Sequence, residues 1–528
     1  MRIHTAIAEL RKQVGLSQAE LADELGVSRQ TVQKWESRTA IPDISHIVAI
    51  SRLFGVSIDT MMFENHIRIT EAIATEKIVE PQYSRLPVWE LYSDDLMVEL
   101  RQCAEEGKKI QSYANLFSAV SNMPPGQRKE KMADILYEIA VTSPQRQGYP
   151  YIEPSDLLSI QKQCCQASEI AVRSVDMKTI RQKIYGAWMG RICGCLLGKP
   201  VEGIRTDELL RLLKQSKNYP MRRYIRHSDI TDEMLTSFHF LLKDKCYADT
   251  ISCAPVDDDT NYTVLAMQII EKYGRSFTPY DVSRMWVHAQ PKDAYCTAER
   301  VAYINFLAGY VPPDSAVYKN PYREWIGAQI RGDYFGYINP GNPKLAAEMA
   351  WRDASISHVK NGIYGEMFVA AMLAWAAVSQ DMEEVIEKGL EQIPARSRLY
   401  ESVCKVRKVY SEGMDEKHCF AWIHQLYDEK DSHDWCHTIP NAMIVTASLL
   451  YGKGRFGKSI CRAVQTGFDT DCNGATVGSI LGMMYGIDAI DKEWTDPICG
   501  ELDTSIFGVG KVKISDLVDM TMKHMEKR

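Results

Sequence analysis

The sequence predicts an all-α protein, and three observations carry that prediction. Apolar residues recur at helical spacing through the first 65 residues: Ile3, Ile7 and Leu10, then Leu21 and Leu25, then Val32 and Trp35, then Ile47, Ile50 and Leu53. Farther on stand long apolar runs such as FVAAMLAWAAV and NAMIVTASLLYG, with little strand-like alternation. Glycine falls every fourth residue in two places, at 186, 190, 194 and 198 and at 474, 478, 482 and 486. The expected organisation is a small five-helix domain over 1–65, a helical connector over 66–175 and a large all-helical domain over 176–528.

Bulk composition bounds the function. At roughly 100–200 residues per domain, 528 residues allow two to four domains. With 45% hydrophobic and 25% charged residues, a core of normal size is available without disulfides or structural metals. A net charge of -7 excludes a generally basic nucleic-acid binder, so any DNA contact must come from a local patch. The 14 cysteines include no Cys-x-x-Cys pair, which argues against a zinc module. The first residues are amphipathic and charged, without an apolar signal core, and no apolar run reaches roughly 18 residues. A cytoplasmic protein with reduced thiols and no membrane partner is expected. No Gly-x-Gly-x-x-Gly follows a strand, so a dinucleotide fold is not supported.

In the first domain, Ser17 and Glu20 form a capping-box pattern, Gly26 ends that helix, and Ser28 caps the next. Pro42 and Asp43 mark a turn before another helix. The segment GLSQAELADELGVSRQTVQKWESRTAIPD resembles the phage-repressor (Cro/Xre) type of helix-turn-helix. The resemblance covers about 60 residues, through VAISRLFGVSIDTMM. It implies binding to double-stranded DNA, with the helix from Ser28 in the major groove. The DNA-contact candidates are Gln18, Ser28, Arg29, Gln30, Thr31, Gln33 and Lys34, because Gln and Arg suit adenine and guanine edges. Residues 1–65 carry seven Lys/Arg against eight Asp/Glu. Binding would therefore rest on the cluster of Arg29, Lys34 and Arg38. The alternative is a helical protein-interaction module. Repressors of this type bind as pairs, so a homodimer is expected.

Two acidic clusters, Asp257-Asp258-Asp259 and Asp469-Thr470-Asp471, each precede an apolar helical run. One such run alone reads as a helix N-cap. Two together, on helices rich in glycine, point to a cation, since adjacent carboxylates repel unless neutralised. Hard oxygen ligands suit magnesium or manganese. Each interior glycine costs roughly 1 kcal/mol relative to alanine, so the stripes mark close backbone approach. Arg191, Lys199 and Glu202 argue against a membrane helix pair.

The segments GAWMGRICGCLLGKPVEG, DDDTNYT, WRDASISHVKNGIYGEMFVAAMLA and GFDTDCNGATVGSILGMMYG resemble, in order and spacing, the signature blocks of the ADP-ribosylglycohydrolases. The resemblance spans about residues 178–510 and implies an all-helical fold with two Mg2+ ions, or Mn2+. It assigns Asp257, Asp258, Asp259, Asp469, Asp471 and Cys472 to the metal site, Glu202 to the end of the early glycine block, and His358 to the substrate side. In this chain Asp257 stands where a threonine ligand is usual and Cys472 where a threonine or serine is usual. Phe468 replaces a glycine and Arg191 an aspartate. IRGDYFGYINPGNP (330–343) stands in place of the family's substrate loop.

Cleavage of a ribosyl glycosidic bond passes through an oxocarbenium-like state, served by a metal-bound water and a proton-shuttling carboxylate. Glu202 is the first choice for that carboxylate and Asp259 the second. Asp333, Tyr334, Phe335, Trp435 and His437 are candidate pocket residues, whereas Cys164, Cys165, Cys193 and Cys195 read as spectators. The leading expectation is a DNA-bound regulator that hydrolyses an ADP-ribosyl bond on a small molecule or an ADP-ribosylated target. The alternatives are a hydrolase of a smaller nucleoside-like compound and a non-catalytic nucleotide-sensing repressor.

Overall fold

Helices supply nearly all the regular structure of the computed structural model, which describes residues 3–63, 81–165 and 173–526. Among these residues the strands form a single antiparallel ribbon, Glu501–Asp503 paired with Lys511–Lys513. The all-α expectation is met. The chain divides into two units, 1–82 and 83–528.

The first unit holds five helices, α1 (Ile3–Gln13), α2 (Gln18–Glu24), α3 (Arg29–Glu36), α4 (Ile44–Phe54) and α5 (Ile58–Phe63). Local chemistry sets their ends. Ser17 Oγ accepts from the Glu20 N–H while Glu20 bonds back to the Ser17 N–H, and Ser28 and Asp43 cap α3 and α4. Gly55, at φ +64°, ends α4 in the left-handed conformation that glycine adopts without strain. Ile3, Ile7, Leu10, Leu21, Val32, Trp35 and Ile50 close the core. Arg11 clasps Glu36 through two hydrogen bonds of 2.6 and 3.0 Å, tying α1 to α3.

In the second unit, residues 83–165 are packed into one body with the large domain, although sequence composition reads them as part of a connector. The connector's stretches 66–80 and 166–172 lie outside the described residues. Ion pairs made from the helix Leu96–Glu105 and its flanks account for this docking. Buried Arg323 reaches Glu99 at 3.0 Å and Glu106 at 2.7 Å. Lys360 also reaches Glu106, at 2.7 Å. Arg398 lies between Glu153 (2.9 Å) and Glu324 (2.6 Å).

The two glycine stripes face each other. Helix Met177–Gly198 runs antiparallel to Thr470–Tyr485, and a Cβ added at Gly190 would overlap the carbonyl of Gly478. Gly186 meets Gly482 and Gly194 meets Gly474 in the same way. This antiparallel contact sets the end of one helix, at Gly198, against the start of the other, at Thr470 and Asp471.

Gly190→Ala or Gly478→Ala should therefore destabilise the unit by about 3 kcal/mol, the upper part of the overpacking range. Gly126→Ala, where an added Cβ meets nothing within 4 Å, should leave the thermal midpoint unchanged. Thermal melts of the three variants check this.

Candidate functional site

The glycine seam presents one face of helix Met177–Gly198 to the acidic clusters. Arg191, Cys195 and Lys199 recur every fourth residue, each directly after a seam glycine and so on the face flanking the glycines. Arg191 is fully buried and donates to Asp259 Oδ1 and to the Asp259 carbonyl, both at 2.9 Å. Its third arm holds Asp333 at 2.9 Å. Lys199 bonds Asp257 Oδ2 at 2.7 Å, while Asp257 Oδ1 caps the helix Asp258–Tyr273 by accepting from the Asp259 N–H.

The second cluster enters on a turn in the left-handed region, Gly467 at φ +78° and Phe468 at φ +58°. Phe468 thus occupies a conformation suited to glycine, and its fully buried ring, 5.0 Å from His424, holds it there. Asn441 accepts from the Asp469 N–H and from the Asn473 amide, fixing the start of the helix Thr470–Tyr485. Cys436 Sγ lies 3.7 Å from Asp469 Oδ2.

Charge is only partly balanced here. Burial, with Asp257 and Asp471 nearby, pushes Asp258 up to about 8. Burial raises Asp259 and Asp469 well above the carboxylate range and raises Asp471 as well. Glu202 is exposed at the mouth, yet the Asp471 charge, followed by loss of water, lifts it well above its ordinary value. Asp259 Oδ2, Asp469 Oδ1 and Asp471 Oδ1 are buried without a hydrogen-bond partner. Orphaned, mutually repelling carboxylate oxygens fit a divalent cation.

Comparison with known proteins accords with this geometry. The family model described as ADP-ribosylglycohydrolase matches residues 176–526. The chain belongs to the ADP-ribosylglycohydrolase family. A helix-turn-helix model matches residues 7–61. The same region is 36% identical over 62 residues to the HTH-type transcriptional activator BcrR of Enterococcus faecalis. It is 34% identical over 61 residues to the cryptic phage CTXphi transcriptional repressor RstR of Vibrio cholerae serotype O1. Each match covers 12% of this chain, and the two span 30% and 54% of those relatives. A solved structure titled an ADP-ribosylglycohydrolase-related protein complex is similar at 18% identity and a TM-score of 0.41, covering 66% of this chain and 99% of that one.

Within the family domain the structure brings together Glu202, Asp257, Asp258, Asp259, Asp469, Asp471 and Cys472. It also adds Cys195, which the sequence reading treats as a spectator: its sulfur lies within 4.8 Å of carboxylate oxygens of Asp257 and Asp259. The three candidates of segment 330–343 lie on a short helix, Asp333–Tyr337. Asp333 is wholly buried as the anchor of Arg191. Tyr334 is buried with its hydroxyl on His524, and Phe335 stacks on Phe277 in the core. An ion pair engages Asp333, a hydrogen bond Tyr334 and ring stacking Phe335. His358 is also buried, with Nδ1 on Ser357 Oγ, and burial keeps it neutral, well below its ordinary pKa. Trp435 remains half-buried beneath the Arg205 guanidinium, 5.4 Å from its ring, next to Cys436.

His437 belongs to another cluster, with Glu105 and His433. The spacing suits a metal, but the hydrogen bonds do not. His433 Nδ1 accepts from the Trp325 indole and His437 Nδ1 accepts from the Ile439 N–H. Accepting at Nδ1 puts each proton on Nε2, leaving no lone pair there for an ion. The two Nε2–H groups face Glu105 and Glu324 instead.

In the helix-turn-helix, Arg29, Gln30, Gln33 and Lys34 are exposed along α3. Ser28 and Thr31 bond each other at the cap, and the Gln18 amide is held by Glu36 at 2.8 Å.

A pH dependence follows from the carboxylates. A carboxyl raised in the folded state stabilises while protonated, and that contribution is lost as pH rises through its folded value. In EDTA the thermal midpoint of the family domain should fall as pH rises from the usual 3.8 toward about 8, the window set by Asp258. Millimolar divalent cation should flatten the curve. Calorimetry across that range, with and without the ion, checks it.

Proposed function

We propose that this chain is a DNA-binding regulator whose family domain hydrolyses an ADP-ribosyl or related ribosyl glycosidic bond with a divalent cation. The observation that carries the catalytic half is the convergence of two acidic helix starts and Glu202 around three orphaned carboxylate oxygens. Asp257, Asp258, Asp259, Asp469 and Asp471 are the residues to hold the cation, and on charge and hardness carboxylates suit magnesium or manganese. Bound there, the ion would orient the ribose diol and polarise a water.

The chain's own residues do the rest. Glu202, raised in pKa and open to solvent, holds or takes a proton at the mouth. The negative wall of aspartates favours positive charge developing at C1 of the ribose. Arg191 keeps Asp259 in one orientation, and Asn441 fixes the backbone of Asp469. Arg205 over Trp435 offers a flat, cationic platform for the departing side of the substrate.

For the DNA half, the exposed face of α3 supports major-groove reading. Ile41 and Ile44, 60% and 80% exposed, offer apolar surface for a second copy. A homodimer on a two-fold axis would read half-sites about 34 Å apart.

Glu202→Gln should lose about 10²–10⁴-fold in turnover of an ADP-ribosylated substrate while calorimetry still registers the divalent ion. Full turnover by that variant would move the proton-transfer role to Asp259. Asp258→Ala and Asp469→Ala should abolish activity yet leave DNA binding intact, since the helix-turn-helix is a separate unit. At the DNA end, Gln30→Ala should cost about 1–3 kcal/mol and relax base preference. Lys34→Ala should weaken all sequences alike and reduce the salt slope by about 1. Binding titrations at several salt concentrations, on the sites recovered by a genome-wide selection, distinguish the two; recovery of no inverted repeat would favour a protein-interaction module.

A further inference from the structure

Two thiols stand inside the carboxylate centre. The sulfur of Cys195 and carboxylate oxygens of Asp257 and Asp259 all lie within 4.8 Å of one another. The sulfur of Cys472 forms an equivalent triad with Asp259 and Asp471. All five residues are buried, Asp259 completely, and both Asp259 Oδ2 and Asp471 Oδ1 lack a hydrogen-bond partner. Asp259 belongs to both triads. Its other oxygen is fixed by Arg191, so Oδ2 is the atom left for a ligand.

The backbone explains why the thiols reach this point. Gly194 and Gly474 touch carbonyl to Cα, leaving no room for a side chain between the helices. Cys195 follows the first of these glycines and Cys472 precedes the second by two residues. This close approach therefore carries a thiol in from each helix.

We propose that Cys195 and Cys472 are thiolate donors, and that the centre selects a borderline ion of the zinc, iron(II) or cobalt(II) class over magnesium. This rests on the divalent-cation reading above and deepens it. Magnesium prefers an octahedron of oxygens and dehydrates reluctantly, gaining little from sulfur. Zinc and iron(II) accept mixed oxygen and sulfur sets, and their affinity rises with each thiolate. As each sulfur–metal bond forms, the thiol proton leaves to solvent, because only the thiolate is a ligand. Lys199, on a part-exposed stem, can stay on Asp257 Oδ2 and offset charge while Asp257 Oδ1 keeps the cap of the following helix.

The test uses the full chain, reduced and stripped with EDTA, then titrated with Co2+. A sulfur-to-cobalt charge-transfer band should appear in the near ultraviolet. It should weaken in Cys195→Ser and in Cys472→Ser, vanish in the double variant, and be unchanged in Cys499→Ser, an exposed thiol. Calorimetry on the same samples should give Zn2+ binding at least about tenfold tighter than Mg2+, a gap that narrows in the double variant. Should the double variant fail to fold, X-ray absorption at the zinc edge of the wild-type chain decides, with a sulfur shell expected at about 2.3 Å. Heat of Co2+ binding without the band, or an oxygen-only shell, would overturn thiolate ligation and leave a hard-ion hydrolase standing. No heat with any divalent ion would overturn the cation reading itself.

Discussion

Everything in the family domain depends on two helix backbones lying against each other with no side chains between them. Glycine is the only residue that permits this, and each one weakens its own helix by roughly 1 kcal/mol relative to alanine. The return is dispersion contact along several turns and a fixed antiparallel register. Because the first helix ends where the second begins, Lys199 and Glu202 are delivered to Asp469 and Asp471 across more than 260 residues of sequence. The Asp469–Asp471 cluster is thus positioned by main chain, while Arg191 and Lys199 hold Asp259 and Asp257 in place.

Much of this is legible in the sequence, and the reasons are specific. Asp257–Asp259 and Asp469–Asp471 stand out because each run precedes an apolar helix, and the four-residue glycine period announces the seam. The same period also places Arg191, Cys195 and Lys199 on the face flanking the glycines, a signal masked by the glycines themselves. Segment 330–343 is harder to read. Its Asp333, Tyr334 and Phe335 sit on a short helix and are buried because Arg191, His524 and Phe277 come from elements distant in sequence to meet them. The helix-turn-helix is nearly transparent, since its caps, turns and core are all local.

Buried cations recur as structural devices. Arg191 joins Asp259 to Asp333, and Arg331 lies among Glu299, Asp353 and Glu366 beneath the site. Such pairs are seldom a net source of stability, because each charge gives up its water. They do fix geometry: a guanidinium with defined donors holds a carboxylate in one orientation. Glu366 stands 3.6 Å from Arg331 with no hydrogen bond at either oxygen, and burial drives its pKa well up.

The docking of residues 83–165 separates two notions of a domain. The family signature begins at residue 176, and a gene fragment cut there would carry every signature block. It would not carry Glu99, Glu106 or Glu153, the counter-charges of Arg323, Lys360 and Arg398. Arg323 would lose both carboxylate partners at once and Arg398 two of three, Glu105 and Glu153, exposing a surface shaped for helices no longer present. The unit of inheritance and the unit of folding therefore differ by nearly a hundred residues, so joining a shorter family domain at the signature boundary would leave these buried cations without their counter-charges.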